Sequence, residues 1–349
     1  MRRFRIKGIN REALGQLAQF LTYATLRGFS VIINLFPEGL ALWIGRQLGR
    51  LAYFIDFEHR QVAIGNLELA FGGERSKNEI KGIALRTFQN LGMNLVEFIR
   101  LPGLDKERLM NKVEIEGRSH VEAALKRGKG IIFLLGHIGN WELLGCMSRI
   151  LGDDLMALAR PLKKNRWLDR FIGDIRRSSG LHVLSSKKAA RQVVSALRRN
   201  KMVGILIDQR EKRGEGVGVD FFGVNASTTP ASAFFAVKTG AAVIPVYTIR
   251  LGGGKHRIVA EPPLELIKTG DKAEDIRLNV QRHTEVLESI IRRFPDQWFW
   301  IHRRWERKEK DRTQSRMRRY GKYIRDPAEP MYMKEGGYAR FPNVSARGR

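Results

Sequence analysis

Ile131-Ile132-Phe133-Leu134-Leu135-Gly136-His137-Ile138-Gly139-Asn140-Trp141-Glu142 is the stretch on which the reading of the fold turns. The apolar run is a buried strand that ends at a glycine. The next residue, His137, is freed from the ladder, and an acidic side chain follows five positions later as a helix begins. That spacing could bring a carboxylate back to an imidazole nitrogen. A carboxylate-oriented histidine is the usual device for taking a proton from an alcohol.

Working outward, short apolar strands alternate with helices. Strands are expected at Leu155 to Ala159, Met202 to Ile207, Val243 to Ile249 and Arg257 to Ala260. Helices are expected over Lys77 to Arg100, with a break near Gly92, and over Ser119 to Lys126, Trp141 to Ile150, Lys164 to Ser179, Lys187 to Arg199, Pro230 to Thr239 and Asp271 to Arg293. Thr229 ahead of Pro230 supplies an N-cap and Gly240 a stop. Such alternation argues for an α/β domain with a mostly parallel or mixed central sheet, whose ligand sites gather at the carboxyl ends of strands. His137 sits at one such end and Asp208 at another.

The chain of 349 residues is long enough to need no metal or disulfide staple. Its net charge of +27 implies an anionic partner: nucleic acid, a membrane surface, or an acidic substrate or carrier. The single cysteine, Cys146, excludes internal disulfides and a cysteine-built zinc site, and with His137 it makes no metal site because further ligands are missing. Arg2, Arg3, Arg5, Lys7 and Arg11 precede a segment from Ala13 to Pro37 whose only charge is Arg27. This reads as a membrane anchor, spanning at a tilt or re-entrant; a buried core helix is the plainer alternative. Leu40, Ile44, Leu48, Leu51 and Ile55 then recur at helical spacing, with Arg46 and Arg50 on another face. The expected organisation is a basic, hydrophobic N-terminal part over 1–60, an α/β domain over 61–307 and a basic, mobile tail over 308–349.

Four blocks carry a family resemblance. They are Gly136 to Glu142; Ala159-Arg160-Pro161 with Asn165, Leu168-Asp169 and Arg176; Asp208-Gln209 with Phe221-Phe222-Gly223 and Ala226 to Pro230; and Pro295 to Arg304. In this order they resemble the bacterial lipid A late acyltransferases of the lysophospholipid acyltransferase superfamily, whose signature is H-x-x-x-x-E. Asp220 departs from the pattern, where many relatives carry proline, and so does the long basic tail. The resemblance implies a glycerol-3-phosphate-acyltransferase-like mixed sheet flanked by helices, with an N-terminal anchoring helix. It implies transfer of a fatty acyl group from acyl carrier protein to a hydroxyl of a lipid A precursor, without a cofactor, on the cytoplasmic face of the bacterial inner membrane.

On that reading His137 is the general base and Glu142 fixes its tautomer. Asn140, Arg160, Asp208 and Gln209 are candidates for holding substrate or the developing oxyanion. Two of them have a plainer role. Arg160 suits an internal ion pair as well as a substrate phosphate, and Asp208 suits a helix cap or a pair with Arg160. Trp141, Trp298 and Trp300 read as packing or interfacial residues. His302, Arg303 and Arg304 suit either phosphate binding or a solvated charged turn. G-x-S-x-G is absent, which favours direct transfer over a covalent acyl-serine. Two other functions stay open. One is an acyltransferase acting on a glycerophospholipid or another glycolipid, with acyl-CoA or acyl carrier protein as donor. The other is a basic nucleic-acid-binding protein, which would leave the hydrophobic N-terminus without a purpose; no nucleic acid is expected as a partner.

Overall fold

The computed structural model describes residues 11–151, 155–158, 165–184, 189–212 and 214–305. The expected N-terminal basic cluster up to Lys7, Arg160 and the tail over 308–349 lie outside these residues. Strands β1 to β9 run over Val113–Glu116, Ile131–Leu135, Leu155–Leu158, Leu181–Leu184, Met202–Leu206, Val217–Phe221, Val224–Thr228, Ala242–Gly252 and Lys255–Ala260. Helices α1 to α11 run over Arg11–Leu35, Glu38–Ile55, Phe57–Phe71, Lys77–Arg100, Lys106–Lys112, Arg118–Lys126, Met147–Leu151, Arg166–Ser178, Ala189–Arg198, Ala231–Thr239 and Lys272–Arg293.

Seven strands form one mixed sheet in the order β1-β9-β8-β2-β5-β3-β4. β2 pairs in parallel with β5 and β8, and β9 runs antiparallel to β8. All five residues of β2 are buried because both faces of the sheet are covered. Ile132 and Leu134 pack on one side, in a core with Leu67 of α3, Ile83 of α4 and Ile291 of α11. Ile131, Phe133 and Leu135 pack on the other, with Val121 of α6, Met147 of α7 and Phe171 of α8. This is the expected helix-flanked mixed sheet. β1, β4 and the hairpin β6–β7 were not anticipated. At the hairpin turn the Asp220 carboxylate accepts the amide of Gly223 (2.8 Å), which gives the departure from proline a local use.

α4 is unbroken, contrary to the expected break near Gly92. Its start is fixed by a capping box, in which the Glu79 amide donates to Ser76 Oγ and the Ser76 amide to Glu79 Oε2. Gly92 is instead the point where α2 crosses: a β-carbon there would lie 2.0 Å from the carbonyl oxygen of Gly45. That contact decides which way α2 faces. It buries Ala41, Leu42, Gly45, Gly49 and Tyr53, while the apolar stripe noted in the sequence points outward, with Leu40, Leu48, Leu51 and Ile55 exposed beside Trp43 and Phe54.

Among the described residues no helix is long and apolar enough to cross a membrane, so the anchor expected over Ala13 to Pro37 is unconfirmed. α1 is 25 residues long, yet Arg27 and interspersed Gln, Thr, Ser and Asn dilute its apolar character. One side of it is held in place. Tyr23 packs edge-on against Phe171 (6.2 Å between ring centroids), and Arg100 donates to the carbonyls of Ile33 and Phe36 near its end.

Candidate active site at the carboxyl ends of β2 and β5

Parallel pairing sets Leu135 beside Leu206, the last residues of β2 and β5. His137 and Asp208, each two residues further on, therefore meet. The imidazole Nδ1 lies 2.7 Å from Asp208 Oδ1, and the His137 amide donates to Asp208 Oδ2 (2.7 Å). The indole N–H of Trp298, itself buried, donates to the same Oδ2 (2.8 Å). Burial alone would raise the Asp208 pKa, but the interaction with the His137 imidazole and these donors outweigh it and hold the carboxyl at about 2. An ionised carboxylate only accepts hydrogen bonds. Nδ1 consequently carries the proton, and the lone pair is on Nε2, 3.5 Å from the amide nitrogen of Gln209. The ring is enclosed by Trp141, edge-on at 4.9 Å, and by Phe299 at 5.7 Å.

This geometry reassigns two of the residues singled out in the sequence. Glu142 makes no hydrogen bond to the imidazole; it accepts a two-point contact from Arg176 (3.0 and 2.6 Å) and the indole N–H of Trp141 (3.1 Å). The reason is local. After Gly139 the chain enters a 3-10 helix over Trp141–Cys146 rather than the α-helix expected from Trp141, which turns Glu142 toward α8. Gly139 has φ +57°, and a β-carbon there would fall 2.1 Å from the carbonyl oxygen of Thr248. The carboxylate that meets the imidazole is that of Asp208, and Glu142 reaches His137 through Trp141. Asn140 is fully buried, and its amide nitrogen donates to Glu97 (2.7 Å), so its side chain is not an oxyanion donor. Gln209 lies beside Nε2, whereas Arg160 lies outside the described residues.

In the charged cluster at the end of the last block, Arg304 and His302 bind groups of the fold while Arg303 pairs with Glu58 at the surface. Arg304 is buried and donates to the carbonyl of Ser227 (2.7 Å) and to the Thr228 hydroxyl. His302 Nε2 accepts the amide of Arg210 (3.1 Å); burial pushes its pKa down to about 4, so it stays neutral. Cys146 offers no nucleophile, because burial raises its thiol to about 11. Trp298 is the site residue that sequence reasoning put down to packing; a tryptophan in a motif block next to a strand-end acid was the available signal.

On the face of the sheet toward α6 and α7 lies a small apolar cavity of about 30 Å³. Leu135, two residues before His137, and Leu144, two residues beyond Glu142, line it together with Val121, Met147 and Ile258; among the described residues Arg118 is its only polar lining residue.

Residues 11–307 match the family model described as bacterial lipid A biosynthesis acyltransferase. The chain is 26% identical over 274 residues to the lipid A biosynthesis palmitoleoyltransferase of Escherichia coli, covering 77% of this chain and 86% of that protein. With the lipid A biosynthesis lauroyltransferase of the same organism it shares 24% over 291 residues, 82% of this chain and 92% of that one. A shorter match, 33% over 166 residues, is to the phosphatidylinositol mannoside acyltransferase of Mycobacterium tuberculosis, and it covers 46% of this chain and 52% of that protein. With a family match that runs along nearly the whole described chain, from residue 11 to 307, the protein belongs to the bacterial lipid A biosynthesis acyltransferase family.

Proposed function

We propose that the protein transfers a fatty acyl group from the thioester of acyl carrier protein to a hydroxyl of a lipid A precursor, with His137 as general base and Asp208 orienting it. The carrying observation is the 2.7 Å contact of Nδ1 with Asp208, which leaves the Nε2 lone pair as the proton acceptor. In the reaction the acceptor oxygen attacks the thioester carbon as its proton passes to Nε2. The C–S bond then breaks, and the departing thiolate takes the proton back, leaving an ester and a free thiol. Asp208 stabilises the imidazolium between the two steps. Base catalysis of this kind contributes roughly 10² to 10⁴ in rate. Gln209 and the rings of Trp141 and Phe299 set the approach to Nε2, and the small apolar cavity suits the tip of a hydrocarbon chain. Arg160 is assigned to the acceptor's phosphate, on the strength of the family's second block.

On this reading the enzyme works on the cytoplasmic face of the bacterial inner membrane, held by contact rather than by a span. Its support is the outward apolar face of α2 with Trp43, flanked by Arg46 and Arg50; basic residues near an anionic surface contribute about 1 kcal/mol each. A second acceptor, a phosphatidylinositol mannoside-like glycolipid, is favoured by the 33% identical stretch. The experiment is turnover by purified protein with acyl carrier protein and CoA thioesters against both acceptors, for wild type and His137→Ala. Near-normal turnover by His137→Ala refutes the base assignment, and transfer only to the mannoside moves the acceptor to the second reading.

A further inference from the structure

The catalytic turn is fastened from behind by a buried polar cluster remote in sequence from every family block except the first and last. Asn94 and Glu97 lie one turn apart on α4, so they face the same way. Asn94 donates to the carbonyl of Gly139 (2.6 Å), and Glu97 accepts the side-chain amide of Asn140 (2.7 Å). These are the second and third residues after His137. Glu97 also receives Nη1 and Nη2 of Arg250 (2.7 and 2.6 Å) and Nε2 of His256 (2.8 Å). Arg250 Nη2 reaches back to Asn94 Oδ1 (2.6 Å), which closes the cluster. The main chain of Arg250 is gripped in turn by Gln297, whose own carbonyl accepts the amide of Gly139 (2.8 Å).

A carboxylate is the side chain this position requires. Four N–H donors converge on Glu97, and two carboxylate oxygens offer about four lone-pair sites, so the group is saturated. Glu97 and its partners Arg250 and His256 are nearly inaccessible, with side-chain exposures of 10%, 8% and 2%. Burial would raise the Glu97 pKa, but His256 and Arg250 hold it at about 2, so the charge is kept. Stability alone does not explain such a cluster, since a buried ion pair is weak evidence for stability. Two of its links instead end on the turn that carries the base.

We infer that Glu97, through Asn140 and together with Asn94, is a positioning residue for His137: the Glu97–Arg250–His256 cluster sets where the imidazole stands. The inference rests on the function proposed above and names a determinant of its geometry outside the histidine and its acid. A displacement of about 1 Å at a reacting group lowers rates by roughly 10²-fold.

The test uses Glu97→Gln, Asn94→Ala and Asn140→Ala in the full chain. Asn94→Ala and Asn140→Ala cut the links to the turn while leaving the Glu97–Arg250 pair intact, so they remain informative where Glu97→Gln fails to fold. Acyl transfer is measured per folded molecule, with kcat and KM separated, and the reactivity of His137 toward diethyl pyrocarbonate is read by peptide mass spectrometry. The expected result is a fall in kcat of about 10- to 100-fold in each variant, KM within about twofold for both substrates, a changed His137 modification rate, and a double Glu97→Gln/Asn140→Ala variant no slower than the worse single one. Unchanged kcat per folded molecule in Asn94→Ala and Asn140→Ala, with the wild-type His137 modification rate, overturns the inference. The modification rate does not depend on turnover. Activity in His137→Ala would therefore sink the proposed function while leaving this result readable.

Discussion

Asp208→Asn is the sharpest single perturbation of the proposed base. Asp208 Oδ2 accepts two donors, the His137 amide and the Trp298 indole, while Oδ1 meets only the imidazole. An asparagine will keep its oxygen toward the pair of donors and set its NH₂ against Nδ1. That orientation reverses the imidazole tautomer, so Nε2 carries a proton and has no lone pair to offer. The charge that would steady the imidazolium is lost as well. Unit charges about 4 Å apart at an effective dielectric near 20 interact by about 4 kcal/mol, which corresponds to roughly 10³ in rate. With the tautomer error added, kcat is expected to fall by about 10³ to 10⁴, the upper end being the loss of about 10⁴ when a triad acid is replaced by its amide. The assay is single-turnover transfer from a radiolabelled acyl carrier protein thioester at pH 7.5, on protein whose circular dichroism matches wild type. A folded Asp208→Asn enzyme within tenfold of wild type would refute the assignment of Asp208 as the orienting acid.

Leu144→Trp fills the apolar cavity, so offered a mixture of donors the enzyme should shift to shorter acyl chains, as read by mass spectrometry of the product; an unchanged chain distribution removes the cavity from the acyl path. His283 is buried against Ser232 (3.0 Å), and burial, with the Arg282 charge, pushes its pKa down to about 4 from 6.5. Between those two values the unfolded chain binds more protons than the folded one. Stability therefore falls as pH drops through this window, approaching a tenfold loss in the folded-to-unfolded ratio per pH unit from this group. Urea midpoints at pH 7, 6 and 5 should decline, and His283→Leu should lessen the slope; an equal slope in the variant assigns the effect elsewhere.

The sequence made β2 legible because five apolar residues in a row can be buried on both faces of a sheet, and His137 followed from the glycine that ends it. Asp208 was legible as a strand-end acid, but not as the partner of His137. Their meeting depends on the register of two strands whose sequence separation carries no local signal. The spacing to Glu142 was visible and misleading, because the contact of Gly139 with Thr248 and the 3-10 turn that follows decide where that carboxylate goes. The stripe on α2 was read correctly as helical, yet its outward direction is set by the glycines that meet α4 on the other side. Arg304 suited either a phosphate site or a solvated charged turn. Its burial follows from acceptors at Ser227 and Thr228, more than seventy residues earlier. Periodicity reports faces and lengths; which face meets which partner is a property of the assembled chain.

Asp208 holds His137 by its main-chain amide as well as by its ring, so the imidazole has no room to swing and exposes one working nitrogen. A histidine that cannot turn cannot carry a proton from one place to another. The oxygen that gives the proton and the sulfur that receives it must both come to Nε2, and must be resident together. For the proposed transfer, double-reciprocal plots at varied donor and acceptor should therefore intersect rather than run parallel. Neither substrate alone should release a product, because the proton has nowhere to wait.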